Sequence, residues 1–197
     1  TYAMEGSIFV AGAGVQWLRD RMKFIKKAPE TERIVNSLKG NNGIYLVPAF
    51  TGLGAPYWNA NSRGVLSGIT RDTNPKEIIR ATIESVAYQT YDLFEAMKHD
   101  GLRPRIVKVD GGMVMNNWFS QFLTDVVNVK VLRPEVQETT AVGAAFMAGL
   151  KIGVYKSLKD IAKNWHLNKK FTPKMKKNSR LKLIKGWAKA IQRALIN

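Results

Sequence analysis

Two short stretches place glycines beside residues able to hydrogen-bond a ligand. The first is Ala11-Gly12-Ala13-Gly14, followed closely by Gln16; the second is Asp110-Gly111-Gly112, followed by Asn116 and Asn117. A glycine has no Cβ, so a flat ligand can come against bare backbone there, and a helix start supplies free N–H groups. Gln16 falls in the first turns of a predicted helix, where its amide can point back toward a ligand at the helix start. Asn116 or Asn117 can cap the helix that carries Trp118, Phe119, Phe122, Leu123, Val126 and Val127. From these residues alone, a ligand cradle and a plain turn between strand and helix are both open readings.

The elements that must hold these stretches follow from periodicity. Residues 2–10 read as a strand leading into the first glycines, and Val15, Trp17, Leu18, Met22 and Ile25 recur at helical spacing after them. A second short helix is expected over residues 30–39. Ile44 to Pro48 reads as a strand, residues 49–61 as a long loop rich in Gly and aromatic residues, and Val65 to Thr70 as a further strand. The longest helix is announced by Asn74 as cap, Pro75 at its first position and Glu77 at its third. Its buried stripe is predicted as Ile79, Ile83, Val86, Thr90, Leu93 and Met97, with Glu84 expected exposed or paired.

Ile106 to Val109 is a β-branched run expected to form a short buried strand ahead of the Gly pair. Val129 to Leu132 reads as another strand, and Thr139 or Thr140 as the cap of a small-residue helix suited to close packing. Residues 150–176 read as a loosely patterned basic connection. A last helix, from near Asn178 or Ser179, carries Ile184, Trp187, Ala188, Ile191, Ala194 and Leu195 as its apolar face.

The 197 residues, 45% of them hydrophobic, suffice for one sizeable core or one domain with an appendage. No cysteine is present, which excludes a disulfide framework and fits a reducing compartment. No apolar run approaches the length of a membrane span, and the protein is expected to be cytoplasmic. The net charge of +16 is concentrated after residue 150, where fourteen Lys and Arg face Asp160 alone. A solvated tail is expected there rather than a specific nucleic-acid site. His99 and His166 lack partners at metal-ligand spacing, and neither a Gly-x-x-x-x-Gly-Lys-Ser/Thr phosphate loop nor a Ser-His-Asp order occurs.

Several blocks, in one order, carry a resemblance. They are Tyr2 to Gly12, Val47 to Trp58, Arg63-Gly64, Gly68 to Arg71, Ile79 to Gln89, Val109 to Gly112, and Arg133 to Ala145. Together they resemble the C-terminal half of the FGGY carbohydrate kinases. The Phe50-Thr-Gly-Leu-Gly-Ala-Pro-Tyr-Trp58 loop points to the family's glycerol kinase branch. The resemblance implies an α/β fold of the ribonuclease-H-like, actin-type ATPase class, with residues 1–150 a partial nucleotide-binding domain. Residues 151–197 would be a basic helical extension packing on it.

By the same resemblance, Gly12, Gln16, Gly112 and Asn116 would contact the adenine and ribose of ATP or ADP. Mg²⁺ would be bound mainly through groups outside this chain, and glycerol by an N-terminal domain outside the 197 residues. No catalytic residue and no metal ligand are assigned within the chain, so by itself the polypeptide is expected to be inactive. Pairing with an N-terminal fragment or with a second copy is expected to cover an open sheet edge. The chain opens on Thr1 rather than Met, and it is expected to be a piece of a longer protein. Met113 and Met115 stand where the family commonly has small residues, and Asn59 where an Asp is usual.

Overall fold

One helix is buried for nearly half its length, and the other elements are arranged around it. In the computed structural model, which describes residues 3–196, this helix (Pro75–His99) is preceded by two shorter ones: α1 (Gly12–Asp20) and α2 (Glu30–Asn36). It is therefore α3. Its start follows the sequence signal: Asn74 Oδ1 accepts from the Lys76 N–H at 3.0 Å, and Glu77 Oε2 accepts from the Asn74 N–H at 2.9 Å. Every residue from Ile79 to Gln89 is buried, polar ones included. A helix wrapped on all sides cannot be amphipathic, and its polar residues must find partners inside the protein.

Those partners come from several directions. A two-stranded antiparallel ladder of β1 (Tyr45–Val47) and β2 (Val65–Ser67) packs on α3. On another side lies α4 (Asn117–Val127), which connects β3 (Ile106–Lys108) to β4 (Lys130–Pro134), its parallel neighbour. Then follow α5 (Thr139–Lys151), the short α6 (Leu158–Ala162), β5 (Leu167–Phe171) antiparallel to β4, and α7 (Lys177–Leu195).

The apolar centre is aromatic. The Tyr88 ring lies 5.3 Å from Trp187 of α7 in a stacked pair, 5.6 Å from Phe122 of α4 edge-on, and 5.8 Å from Tyr45 of β1. Gly186 makes this approach possible, because a Cβ there would collide with the Tyr45 hydroxyl. Asp92 adds a polar tie: its Oδ2 accepts from Trp187 Nε1 at 2.6 Å and from the Tyr57 hydroxyl at 2.9 Å. One carboxylate thus fastens both α7 and the 49–61 loop to α3.

Several sequence expectations are corrected. Residues 3–10 form no strand; among the described residues their backbone ties are single contacts, with Ser7 C=O accepting from Ala55 N–H and Val10 C=O from Gln89 Nε2. Tyr2 lies outside the described residues. β3 is not buried: it is a sheet edge with Ile106 54% exposed, since among the described residues no strand pairs on its outer side. The 150–176 connection contains α6 and β5. The strand escaped notice because its lysines, Lys169 and Lys170, keep it exposed and without alternation.

At α5 the residue in the cap position is Glu138, and Thr139 instead donates its hydroxyl to the Asp110 carboxylate. Only Gly149 of α5 is buried, so its small residues do not serve packing against another described element. On α3, Thr90, Leu93 and Met97 are only partly buried.

Burial pushes the Asp92 carboxyl up from 3.8 to about 6, although its two hydrogen bonds favour the ionised form. A raised folded-state pKa means that the ionised form is costly inside. Stability contributed at this site is therefore greatest below about 4, declines as pH rises to about 6, and is flat above. Asp92→Asn removes that dependence while keeping an acceptor. Urea unfolding of both proteins is expected to show the variant gaining on the order of 2–3 kcal/mol relative to wild type between pH 4 and pH 7. A difference that stays constant with pH contradicts this account.

Candidate nucleotide site

The two glycine stretches, a hundred residues apart in sequence, face each other across one cavity of about 400 Å³. Gly12, Gln16, Gly112 and Asn116 all line it, together with Val15, Arg19, Thr31, Glu32 and Ile83. Each side is held by its own local structure. On the first side α1 begins at Gly12, with Leu18 fully buried to anchor it, and the exposed Gln16 side chain makes no hydrogen bond within the described protein.

On the second side the backbone turns sharply after β3. Gly111 sits at φ +83°, a conformation that side chains other than glycine strain to adopt, and a single 3-10 turn (Gly112–Met115) follows. That turn is fixed from beneath. Arg133, 5% exposed, donates from Nη1 to Val114 O at 2.7 Å and to Met115 O at 3.3 Å, and from Nη2 to Asn117 Oδ1 at 3.2 Å. Ser120 Oγ donates to the same Val114 carbonyl at 2.8 Å.

The glycines differ in role. Gly111 supplies backbone conformation, whereas a Cβ built at Gly112 or at Gly12 meets nothing within 4 Å. These two open onto empty space, as a slot for a planar group requires. Asn116 is more constrained than a free ligand-binding amide. Its Oδ1 accepts from the Phe119 N–H at 2.9 Å as the α4 cap, and its Nδ2 donates to Thr31 Oγ1 at 3.2 Å. One Nδ2 hydrogen is left for a ligand.

Sequence reasoning missed the wall contributed by residues 28–32. Thr31 and Glu32 close the cavity, and Glu32 Oε1 accepts from the Asn117 N–H at 3.1 Å. Their one signal is their place on α2, which carries no glycine or motif. It also missed Arg133, whose visible trace is a charged residue inside an apolar strand. Met113 and Met115, unusual residues by the family pattern, do line the cavity. Among the described residues no group of three or more His, Cys, Asp or Glu is placed to hold a metal ion. The rise of the buried Glu84 carboxyl above its ordinary range comes from burial, opposed by Arg80; this pair stands behind the cavity rather than in it.

Comparison with known proteins gives first the class. A xylulose kinase from Lactobacillus acidophilus superposes with a TM-score of 0.82 over 97% of this chain and 39% of that one, at 23% identity, so the two share a fold. A crystal structure of Plasmodium falciparum glycerol kinase with ADP superposes with a TM-score of 0.86 at 34% identity, covering 97% of this chain and 38% of that one.

Residues 1–152 match the FGGY family of carbohydrate kinases, C-terminal domain, and the chain belongs to that family. By sequence it is 57% identical over 193 residues to glycerol kinase 1 of Pseudomonas aeruginosa, and 50% identical over 195 residues to a glycerol kinase of Clostridium botulinum. Each alignment covers 98% of this chain, but the chain spans only 39% of the length of those curated relatives.

The double use of the Asn116 amide predicts a stability effect. Asn116→Ala removes the α4 cap and the bond to Thr31, and is expected to lower unfolding free energy by about 1–2 kcal/mol. Asn116→Asp keeps the cap and should recover most of it. Urea melts of the three proteins test this; an alanine variant as stable as wild type contradicts the cap assignment.

Proposed function

We propose that this chain supplies the adenosine-binding wall of a glycerol kinase cleft, in which ATP and glycerol give ADP and glycerol 3-phosphate. The observation that carries the reading is the meeting of Gly12, Gln16, Gly112 and Asn116 around one slot with unobstructed glycines. An ADP-bound relative of the same fold supports the choice of ligand. In this reading the base lies between the two glycine backbones. The Gln16 amide donates to or accepts from the nucleoside and the remaining Asn116 N–H donates to it, while Ile83, Val15 and Met113 give it apolar contact.

Phosphoryl transfer needs charge neutralisation and alignment of the acceptor hydroxyl. Mg²⁺ would neutralise the phosphate charge when bound, and by the resemblance its ligands and the glycerol site are assigned mainly to groups outside this chain. The work of this chain is binding and orientation. The bare outer edge of β3 and the exposed α5 fit pairing with such residues, or with a second copy. We infer a cytoplasmic location; among the described residues, no helix is long and apolar enough to cross a membrane.

Calorimetric titration with ADP tests the reading. Gly112→Val is a clean probe, since Gly112 is outside the positive-φ region and its Cβ direction is empty, so the added side chain enters the slot without disturbing the fold. It is expected to abolish ADP binding. Gln16→Ala should weaken binding by up to about tenfold, the loss of one hydrogen bond of roughly 0.5–1.5 kcal/mol. Equal affinities in wild type and both folded variants would mean that the junctions are turns and nothing more.

A further inference from the structure

A larger cavity, about 540 Å³, lies apart from the adenosine slot. None of its lining residues belongs to the slot. It lies between the 39–41 segment, α3, α4 and α7, and its chemistry is that of an anion site with an apolar base. Lys39 and Lys182 stand at its rim, exposed and without an ion pair among the described residues. Arg80 reaches it from inside, only 9% exposed.

The guanidinium of Arg80 is fixed on three sides. Its Nε donates to Glu84 Oε1 at 2.6 Å, its Nη1 donates to Leu38 O at 2.8 Å, and its carbon lies 5.0 Å over the Trp118 ring. Nη2 has no partner among the described residues, yet it is not sealed from solvent. A planar donor held so rigidly, with one edge open, is preorganised for an oxyanion.

One carboxylate also lines the wall, Asp125, whose Oδ1 accepts from the Lys174 N–H at 2.6 Å, Gln121 Nε2 at 3.0 Å and the Met175 N–H at 3.2 Å. Its single charge is outnumbered by those of Lys39, Lys182 and Arg80 in the same lining. The base of the cavity is Phe122, Met175 and Leu183. Trp118 offers only its edge, because Arg80 covers one face and Phe122 stacks with it at 4.9 Å. The volume exceeds what an inorganic anion fills and suits a small organic molecule.

We propose that this cavity is a second ligand site, separate from the nucleotide slot, which binds a phosphomonoester: phosphate to Arg80, Lys39 and Lys182, organic part over Phe122, Met175 and Leu183. Calorimetric titration of the full chain with phenyl phosphate, inorganic phosphate and phenol tests it. Phenyl phosphate is expected to bind saturably, inorganic phosphate to compete with it, and phenol not to bind. The rim variant Lys39→Ala/Lys182→Ala should weaken phenyl phosphate at least tenfold and leave ADP affinity unchanged. Ser179→Trp, which keeps every charge but closes the mouth, should weaken it comparably. Lys185→Ala/Lys189→Ala, which removes two α7 charges outside the cavity, should have no effect. Absence of saturable heat up to about 10 mM, equal losses in the two double-lysine variants, or binding of phenol as tight as that of phenyl phosphate would each overturn the assignment.

Discussion

The Arg80–Glu84 pair is the constraint on which the packing around α3 rests. Glu84 is fully buried, and its two oxygens accept from Arg80 Nε and from the Tyr88 hydroxyl at 2.9 Å. Such a pair adds little net stability, because both charges are desolvated; losing one partner, however, leaves the other uncompensated at a cost of about 3–5 kcal/mol. Its effect is therefore to specify one arrangement. Arg80 must lie against Trp118 and the Leu38 carbonyl, which fixes α4 and the end of α2 relative to α3. Tyr88, oriented by Glu84, must present its ring to Trp187, Phe122 and Tyr45.

From that frame the slot follows. Ile83, one residue before Glu84, forms part of its lining, and α2 and α4 bring Thr31 and Asn116 to bonding distance. The slot is consequently made of backbone turns braced by buried side chains. Arg133 and Ser120 converge on a single carbonyl, that of Val114, and so hold Gly112 in place without touching the cavity themselves. Rigid support beneath an unobstructed backbone is what a site needs in order to bind without reorganisation.

The charge of the molecule is arranged on the same terms. α7 buries Trp187, Ala190, Ile191 and Ala194 while its lysines stay in solvent. The high positive charge after residue 150 is thus compatible with a helix that belongs to the core, and β5 completes the sheet from the same basic segment. Asp92 links the two halves of this arrangement, since Trp187 and the loop tyrosine Tyr57 both depend on it.

Local signals determined much of the protein. The cap and proline at Asn74-Pro75, the helical spacing in α4 and α7, the start of α1 after its glycines and the family blocks were legible, because each depends on residues near one another in sequence; Met22 and Ile25, expected to continue α1, lie beyond its end at Asp20. What tertiary structure decided was partnership. Whether residues 3–10 or Leu167–Phe171 become strands depends on whether another strand offers its edge, and only the latter has β4. Whether Glu84 is exposed or buried depends on Arg80 and Tyr88 closing over it. That Gly12 and Gly112 face one cavity, that Asn116 spends its amide on α4 and Thr31, and that Lys39, Arg80 and Lys182 converge are products of packing between distant segments. The types and spacing of those residues along the chain carry no information about such distances.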